Sequence, residues 1–160
     1  MTKHLFIAAA LAATSLSLAA CSGGEEEAPV AAEEGIAGLT ISNPRMMLAP
    51  VAGNPAAIYM DMAYDGGRNI AIRRVDVAQA GRAELHDMME YDFEMTMAEM
   101  PPLMLKPGDK VSFAPGGKHV MAFDVSPELQ PGTTTEVTFT IAGGDKQSFD
   151  VPVMAAGEER

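Results

Sequence analysis

Two histidines and two methionines form a spaced set whose side chains could hold a metal ion. They follow the pattern H-x10-M-x21-H-x-M. Imidazole and thioether groups are soft, uncharged donors, and they suit Cu(I) better than Mg²⁺, Ca²⁺ or a structural Zn²⁺. The spacing predicts a soft-metal site, provided that the fold brings the four side chains together: His86, Met97, His119 and Met121.

The first two candidate ligands lie on either side of Tyr91 and Asp92, which we predict as a two-residue hairpin turn. In that register His86 lies directly opposite Met97, where Cβ atoms are about 4.5–5.5 Å apart. Alternate residues of a strand share a face, so Met88 and Met95 lie on the same face as His86 and Met97. In this register Met88 is directly opposite Met95, and the two are a candidate secondary metal site.

The other two candidates, His119 and Met121, are alternate residues that follow a Pro-Gly-Gly turn at 115–117. On a strand they point to the same face. We expect that strand to lie beside the hairpin, so that the four side chains meet.

The elements that must position these residues are short strands. Turn sequences rich in Pro, Gly, Asn and Asp recur along the chain, and alternating apolar runs lie between them. This pattern is typical of an all-β barrel or sandwich, and no window has a capped helix pattern. The predicted strands are 39–42, 57–63, 69–77, 83–89, 110–113, 119–125, 135–141 and 147–153, and 93–97 is the second strand of the hairpin.

The N-terminus predicts export and a lipid anchor. Residues 1–20 have a positive start and a short apolar stretch, as in a signal peptide. Leu18-Ala19-Ala20-Cys21 resembles a bacterial lipobox, which predicts a lipidated Cys21 and a periplasmic, membrane-anchored lipoprotein; an ordinary secretory signal is the alternative. We divide the rest into an acidic linker (21–35), a β domain (36–155) and a tail (156–160).

Composition narrows the function classes. The net charge of −11 argues against nucleic-acid binding. Of the 13 methionines, we expect Met60, Met62 and Met154 to fill core gaps. A blue-copper redox site needs a cysteine thiolate, but the single cysteine is assigned to lipid. Neither a nucleophile elbow nor an HExxH helix indicates an enzyme. From the residues alone, a cuprous site, another metal site and a plain methionine-rich β domain all remain open.

Two segments resemble the signature of the PCu(A)C family of periplasmic copper chaperones. These segments are Ala83-Glu84-Leu85-His86 and Pro115-Gly116-Gly117-Lys118-His119-Val120-Met121, with Met97 between them. The resemblance covers about residues 39–153. This chain departs from the family in two places. It has Ser42-Asn43-Pro44-Arg45, without an aromatic residue, where the family usually has Ala-Trp-Ala-Arg, and its hairpin is more acidic.

The resemblance implies a fold, a cargo and a partner. The expected fold is a single cupredoxin-like Greek-key β-barrel or sandwich. The expected cargo is Cu(I), bound by His86, Met97, His119 and Met121. The expected partner is a copper-accepting protein, such as the CuA-bearing subunit II of cytochrome c oxidase. Copper sequestration without a dedicated acceptor is the alternative function.

Overall fold

The computed structural model describes residues 35–91 and 93–158. The predictions of a signal peptide, a lipidated Cys21 and most of the linker lie outside these residues.

Ten β-strands make up the regular structure of residues 35–91 and 93–158, which include no helix. It follows that this part of the chain has no helix able to cross a membrane. The all-β prediction is confirmed. The strands are β1 Leu39–Met47, β2 Ala56–Tyr64, β3 Ile70–Val77, β4 Ala80–Tyr91, β5 Glu94–Glu99, β6 Leu103–Leu105, β7 Lys110–Phe113, β8 His119–Val125, β9 Thr134–Ile141 and β10 Lys146–Met154.

The strands form one hydrogen-bonded path in the order β5-β4-β8-β2-β1-β10-β9-β3-β6, and β7 pairs with β2. Strands β1 and β10 pair in parallel, with Met46 opposite Val153. The pairs β5–β4 and β4–β8 are antiparallel. The candidate ligands lie on β4, β5 and β8, which are three adjacent strands at one end of this path.

Alternate residues of the strands build one core. In β9, Val137, Phe139 and Ile141 are buried, as their alternation predicted. Burial of each such side chain contributes about 1.5–3 kcal/mol. The core also takes in Met60 and Met62, which confirms their predicted role as core residues.

Strands β1 and β6 differ most from the sequence prediction. Strand β1 continues to Met47 because a bulge accommodates Pro44: the register shifts between Ser42 and Arg45, and Asn43 adopts a φ of 51°. Strand β6 was not predicted, since it has three residues between prolines and pairs with β3 far along the chain.

Candidate metal centre

The two histidines lie directly opposite each other on adjacent strands. Strand β4 pairs with β8 so that His86 faces His119, and their ring centroids are 5.8 Å apart. The next pair, Leu85 and Val120, points into the core. The imidazoles therefore lie on the other face of the sheet. The prediction that the His119 strand lies beside the hairpin is confirmed.

Neighbouring side chains cover both imidazoles, although they point away from the core. His86 is 9% exposed and His119 is 6% exposed. The ring of Phe123 lies 6.1 Å from that of His86, and the ring of Tyr59 lies 6.4 Å from that of His119. The pair is thus partly shielded from water, which strengthens polar interactions made there.

The predicted register of the β4–β5 hairpin was wrong by two residues. His86 pairs with Glu99, and Met88 pairs with Met97, because the strands turn between Tyr91 and Glu94. A shift of two preserves the face of every side chain. Met97 consequently stays on the face of His86, and its Sδ lies 3.2 Å from Nε2 of His119.

Met121, the fourth predicted ligand, lies two residues after His119 on β8 and is half-buried. It pairs with Glu84 of β4 and Ala57 of β2, so it lies diagonally across from His86 on the shared face. The structure thus gathers His86, His119 and Met97 and places Met121 beside them. The role of these four residues as ligands stays a prediction.

The hydrogen bond of His119 determines which of its nitrogens is free. Nδ1 lies 2.9 Å from the carbonyl oxygen of Gly117. A carbonyl only accepts hydrogen bonds, so Nδ1–H is the donor. In the neutral ring, Nε2 then carries the lone pair, and this nitrogen is the atom that faces Met97.

A hydrogen bond to Glu84 likewise determines which nitrogen of His86 is free. Its Oε2 lies 3.1 Å from Nε2 of His86, which donates to the carboxylate. Hydrogen bonding to His86 lowers the pKa of Glu84, and the positive charge of nearby Arg82 lowers it further. Nδ1 of the neutral His86 ring therefore carries the lone pair, and this buried atom has no hydrogen-bond partner among the residues that the structure describes. An unsatisfied buried polar atom costs about 1–3 kcal/mol.

Several residues around the imidazoles were not identified from the sequence. Glu84 lies two residues before His86, so the period of a strand could have shown that they share a face. Arg82 forms an ion pair with Glu84, and its guanidinium lies 4.0 Å from the ring centroid of Phe123. No local pattern indicates the contact of Tyr59 with His119, because the two strands pair across a large sequence separation.

The candidate secondary ligands also occupy the face of the imidazoles. Met88 is half-buried opposite Met97, while Met95 is 60% exposed and lies opposite Glu90. The predicted direct pairing of Met88 with Met95 was therefore wrong. Their role in metal binding stays a prediction.

The site is accessible on the side of Met97, whose side chain is 45% exposed. A cavity of about 550 Å³ lies elsewhere, and its lining includes Leu48, Val51 and Leu129 but neither histidine. Within residues 35–91 and 93–158, no group of three or more His, Cys, Asp or Glu side chains could hold a metal ion.

The fold belongs to the cupredoxin-like β class found in PCuAC domains. A copper-bound PCuAC domain from PmoF2 superposes with a TM-score of 0.62 at 21% identity, over 76% of this chain and 96% of that domain. The apo PmoF2 PCuAC domain superposes with a TM-score of 0.63 at 21% identity, over 79% of this chain and 97% of that domain. The Cu(I) form of DR1885 from Deinococcus radiodurans superposes with a TM-score of 0.58 at 17% identity, over 80% of this chain and 85% of that protein. At these identities the likeness concerns the fold.

The sequence itself assigns the family. Residues 39–153 match the family described as "Putative lipoprotein LpqE-like", and the chain belongs to that family. A comparison with curated proteins gave no match.

Proposed function

We propose that this protein is an extracytoplasmic carrier of Cu(I), which it binds with His86, His119, Met97 and Met121 and passes to a copper-accepting protein. The observation that carries the proposal is the distance of 3.2 Å between Nε2 of His119 and Sδ of Met97. Neither atom has a proton to share in the tautomer that Gly117 stabilises. Two facing lone pairs are what a bound cation would bridge.

The separation of these two atoms suits a shared ion. With the bond lengths of a tetrahedral zinc site as a guide, about 2.0 Å to nitrogen and about 2.3 Å to sulfur, two donors to one ion lie about 3.5 Å apart. Nδ1 of His86, which has no partner in the described part of the chain, supplies another donor, and an ion there would satisfy this buried atom. Met121 adds a second thioether from the same face.

The chemistry of the donors favours Cu(I) over other metals. Two neutral imidazoles and two thioethers match a soft monovalent ion, whereas structural Zn²⁺ prefers thiolates and imidazoles, and Ca²⁺ and Mg²⁺ prefer oxygen. Two of the solved relatives are named as copper-bound forms, one of them with Cu(I).

An accessible ligand suits a protein that gives its ion away. Met97 is 45% exposed, so an acceptor can approach the ion from the side of β5. We propose an acceptor such as the CuA site of oxidase subunit II. The family description and the Cys21 lipobox support a lipoprotein held at a membrane. Sequestration without an acceptor is the second candidate, since it would use the same ligands.

Competition with a chromogenic Cu(I) chelator tests the site. We expect His86→Ala and His119→Ala each to weaken binding by more than the roughly 10–100-fold effect of losing a supporting residue. Met97→Leu should also weaken it. Met104→Leu is the matched control, because Met104 is 61% exposed on β6, away from the imidazoles. Unchanged affinity in both folded histidine variants would reject the proposal.

A transfer assay separates delivery from sequestration. The Cu(I)-loaded protein is mixed with the soluble CuA domain of an oxidase subunit II, and CuA formation is followed by its absorbance. Delivery predicts transfer at a rate that depends on the concentration of acceptor. A protein that releases Cu(I) to the chelator but not to the CuA domain would favour sequestration.

A further inference from the structure

We propose that Met88, Met95 and Met97 form a second, weaker position for a soft monovalent cation on the β4–β5 hairpin, next to the imidazole pair. This inference rests on the proposed Cu(I) function and adds a position from which the ion reaches or leaves the histidines.

The hairpin register brings three thioethers together. Met88 is directly opposite Met97, and Met95 lies two residues before Met97 on the same face. Directly opposite Cβ atoms are about 4.5–5.5 Å apart and diagonal neighbours about 7–8 Å. Methionine has an unbranched, flexible side chain, so all three sulfur atoms can reach a common ion.

The exposure of these methionines is unlike that of the core methionines. Met95 and Met97 are 60% and 45% exposed, whereas Met60 is 1% exposed. Scattered exposed apolar residues are ordinary, but here they are neighbours on one face, on the last strand in the order of the described residues. A cation can reach their sulfur atoms from solvent without opening the core.

Two carboxylates favour a positive ion at this position. Glu90 lies opposite Met95, and Glu99 lies opposite His86, so both belong to the methionine face. Carboxylate oxygen is a hard donor and a poor ligand for Cu(I), but its negative charge offsets the repulsion between two nearby cations.

Met97 belongs to both groups, because its Sδ also lies 3.2 Å from Nε2 of His119. When an ion occupies the imidazoles and holds Met97, only Met88 and Met95 remain for a second ion. The second position must then be the weaker one. Exchange of Met97 between the two ions gives a direct path from the hairpin to the histidines.

The test is a titration of the folded protein with Ag(I), a redox-inert stand-in for Cu(I), followed by isothermal calorimetry and by NMR shifts of the methionine methyl groups. We expect two equivalents of Ag(I) to bind. Binding of the weaker one should shift the methyl signals of Met88 and Met95. The paired substitution Met88→Leu with Met95→Leu removes both ligands that remain for the second ion, so the second equivalent should be lost. Met104→Leu should leave both equivalents unchanged.

The outcomes separate this proposal from the proposed function. If the wild type binds only one equivalent of Ag(I), the hairpin position is overturned while the imidazole site stands. The same follows if a second equivalent binds but Met88→Leu with Met95→Leu leaves it unchanged. If His86→Ala and His119→Ala leave the tighter equivalent intact, the imidazole site fails. In that case, if the other equivalent of Ag(I) is lost in the paired methionine variant, the result still supports the hairpin position.

Discussion

At the scale of single residues, Glu84 determines which nitrogen of His86 carries the lone pair. Its carboxylate accepts the hydrogen bond from Nε2, which leaves the lone pair on Nδ1. We expect Glu84→Leu to weaken Cu(I) binding by about 10–100-fold, as for other residues that orient a metal-binding histidine. Chelator competition measures the affinity, and ¹⁵N NMR of the ring measures the tautomer of His86.

Two matched variants distinguish orientation from charge. In Glu84→Gln the amide oxygen can still accept from Nε2, so the tautomer and most of the affinity should return. Glu99→Gln removes the same charge from the position opposite His86 and should weaken binding far less than Glu84→Leu does. Wild-type affinity in Glu84→Leu would contradict the orienting role.

At the scale of elements, the face of each side chain was predictable and the register was not. Period-two alternation assigned His86, Met97, His119 and Met121 to faces correctly, because any shift by two residues preserves them. The turn was misplaced because the segment 91–94 contains no Asn-Gly, Asp-Gly or other strong turn pair. Local sequence therefore gave no signal that could distinguish the two registers.

The turn itself carries a residue in an unfavourable conformation. Phe93 has a φ of 65° and is 93% exposed. Left-handed backbone costs an ordinary residue about 1–2 kcal/mol, while glycine loses about 0.5–1 kcal/mol of chain entropy on folding. We expect Phe93→Gly, which creates an Asp-Gly pair, to raise the free energy of unfolding by about 0.5–1 kcal/mol in urea denaturation.

A second substitution at the same position isolates the backbone effect. Phe93→Ala removes the exposed ring but keeps a Cβ, so it should give little or no gain. Equal stabilisation by alanine and glycine would attribute the effect to the ring rather than to φ. A loss of stability in Phe93→Gly would contradict the expected turn geometry.

At the scale of the whole molecule, the features missed from the sequence depend on residues far apart along the chain. The parallel pairing of β1 with β10 joins the two ends of the domain, and β6 exists because it pairs with β3. The local patterns of Leu103–Leu105 and of the bulged segment around Asn43 are too short or too irregular to indicate strands. The faces of the candidate ligands on β4, β5 and β8 were easier to predict, because assigning a face needs only the period of two along each strand.

Asp61 of β2 links strands that the local patterns do not connect. Its carboxylate accepts hydrogen bonds from Nδ2 of Asn43 in the β1 bulge at 3.0 Å and from Oγ of Ser112 on β7 at 2.8 Å. These bonds lower the pKa of Asp61 from its ordinary value of 3.8, because they stabilise the ionised form. A lowered pKa in the folded state means that Asp61 stabilises the fold above pH 3.8.

That contribution should disappear in acid. As the pH falls from 3.8 through the lower folded-state pKa, the folded carboxylate takes up its proton and the stabilisation is lost. Urea unfolding of the wild type and Asp61→Asn at a series of pH values should show a difference in free energy that is constant near neutrality and shrinks below pH 3.8. Asp150→Asn, which removes an exposed carboxylate from β10, is the matched control and should track the wild type more closely. A difference between wild type and Asp61→Asn that is independent of pH would mean that the hydrogen bonds of Asp61 do not depend on its charge.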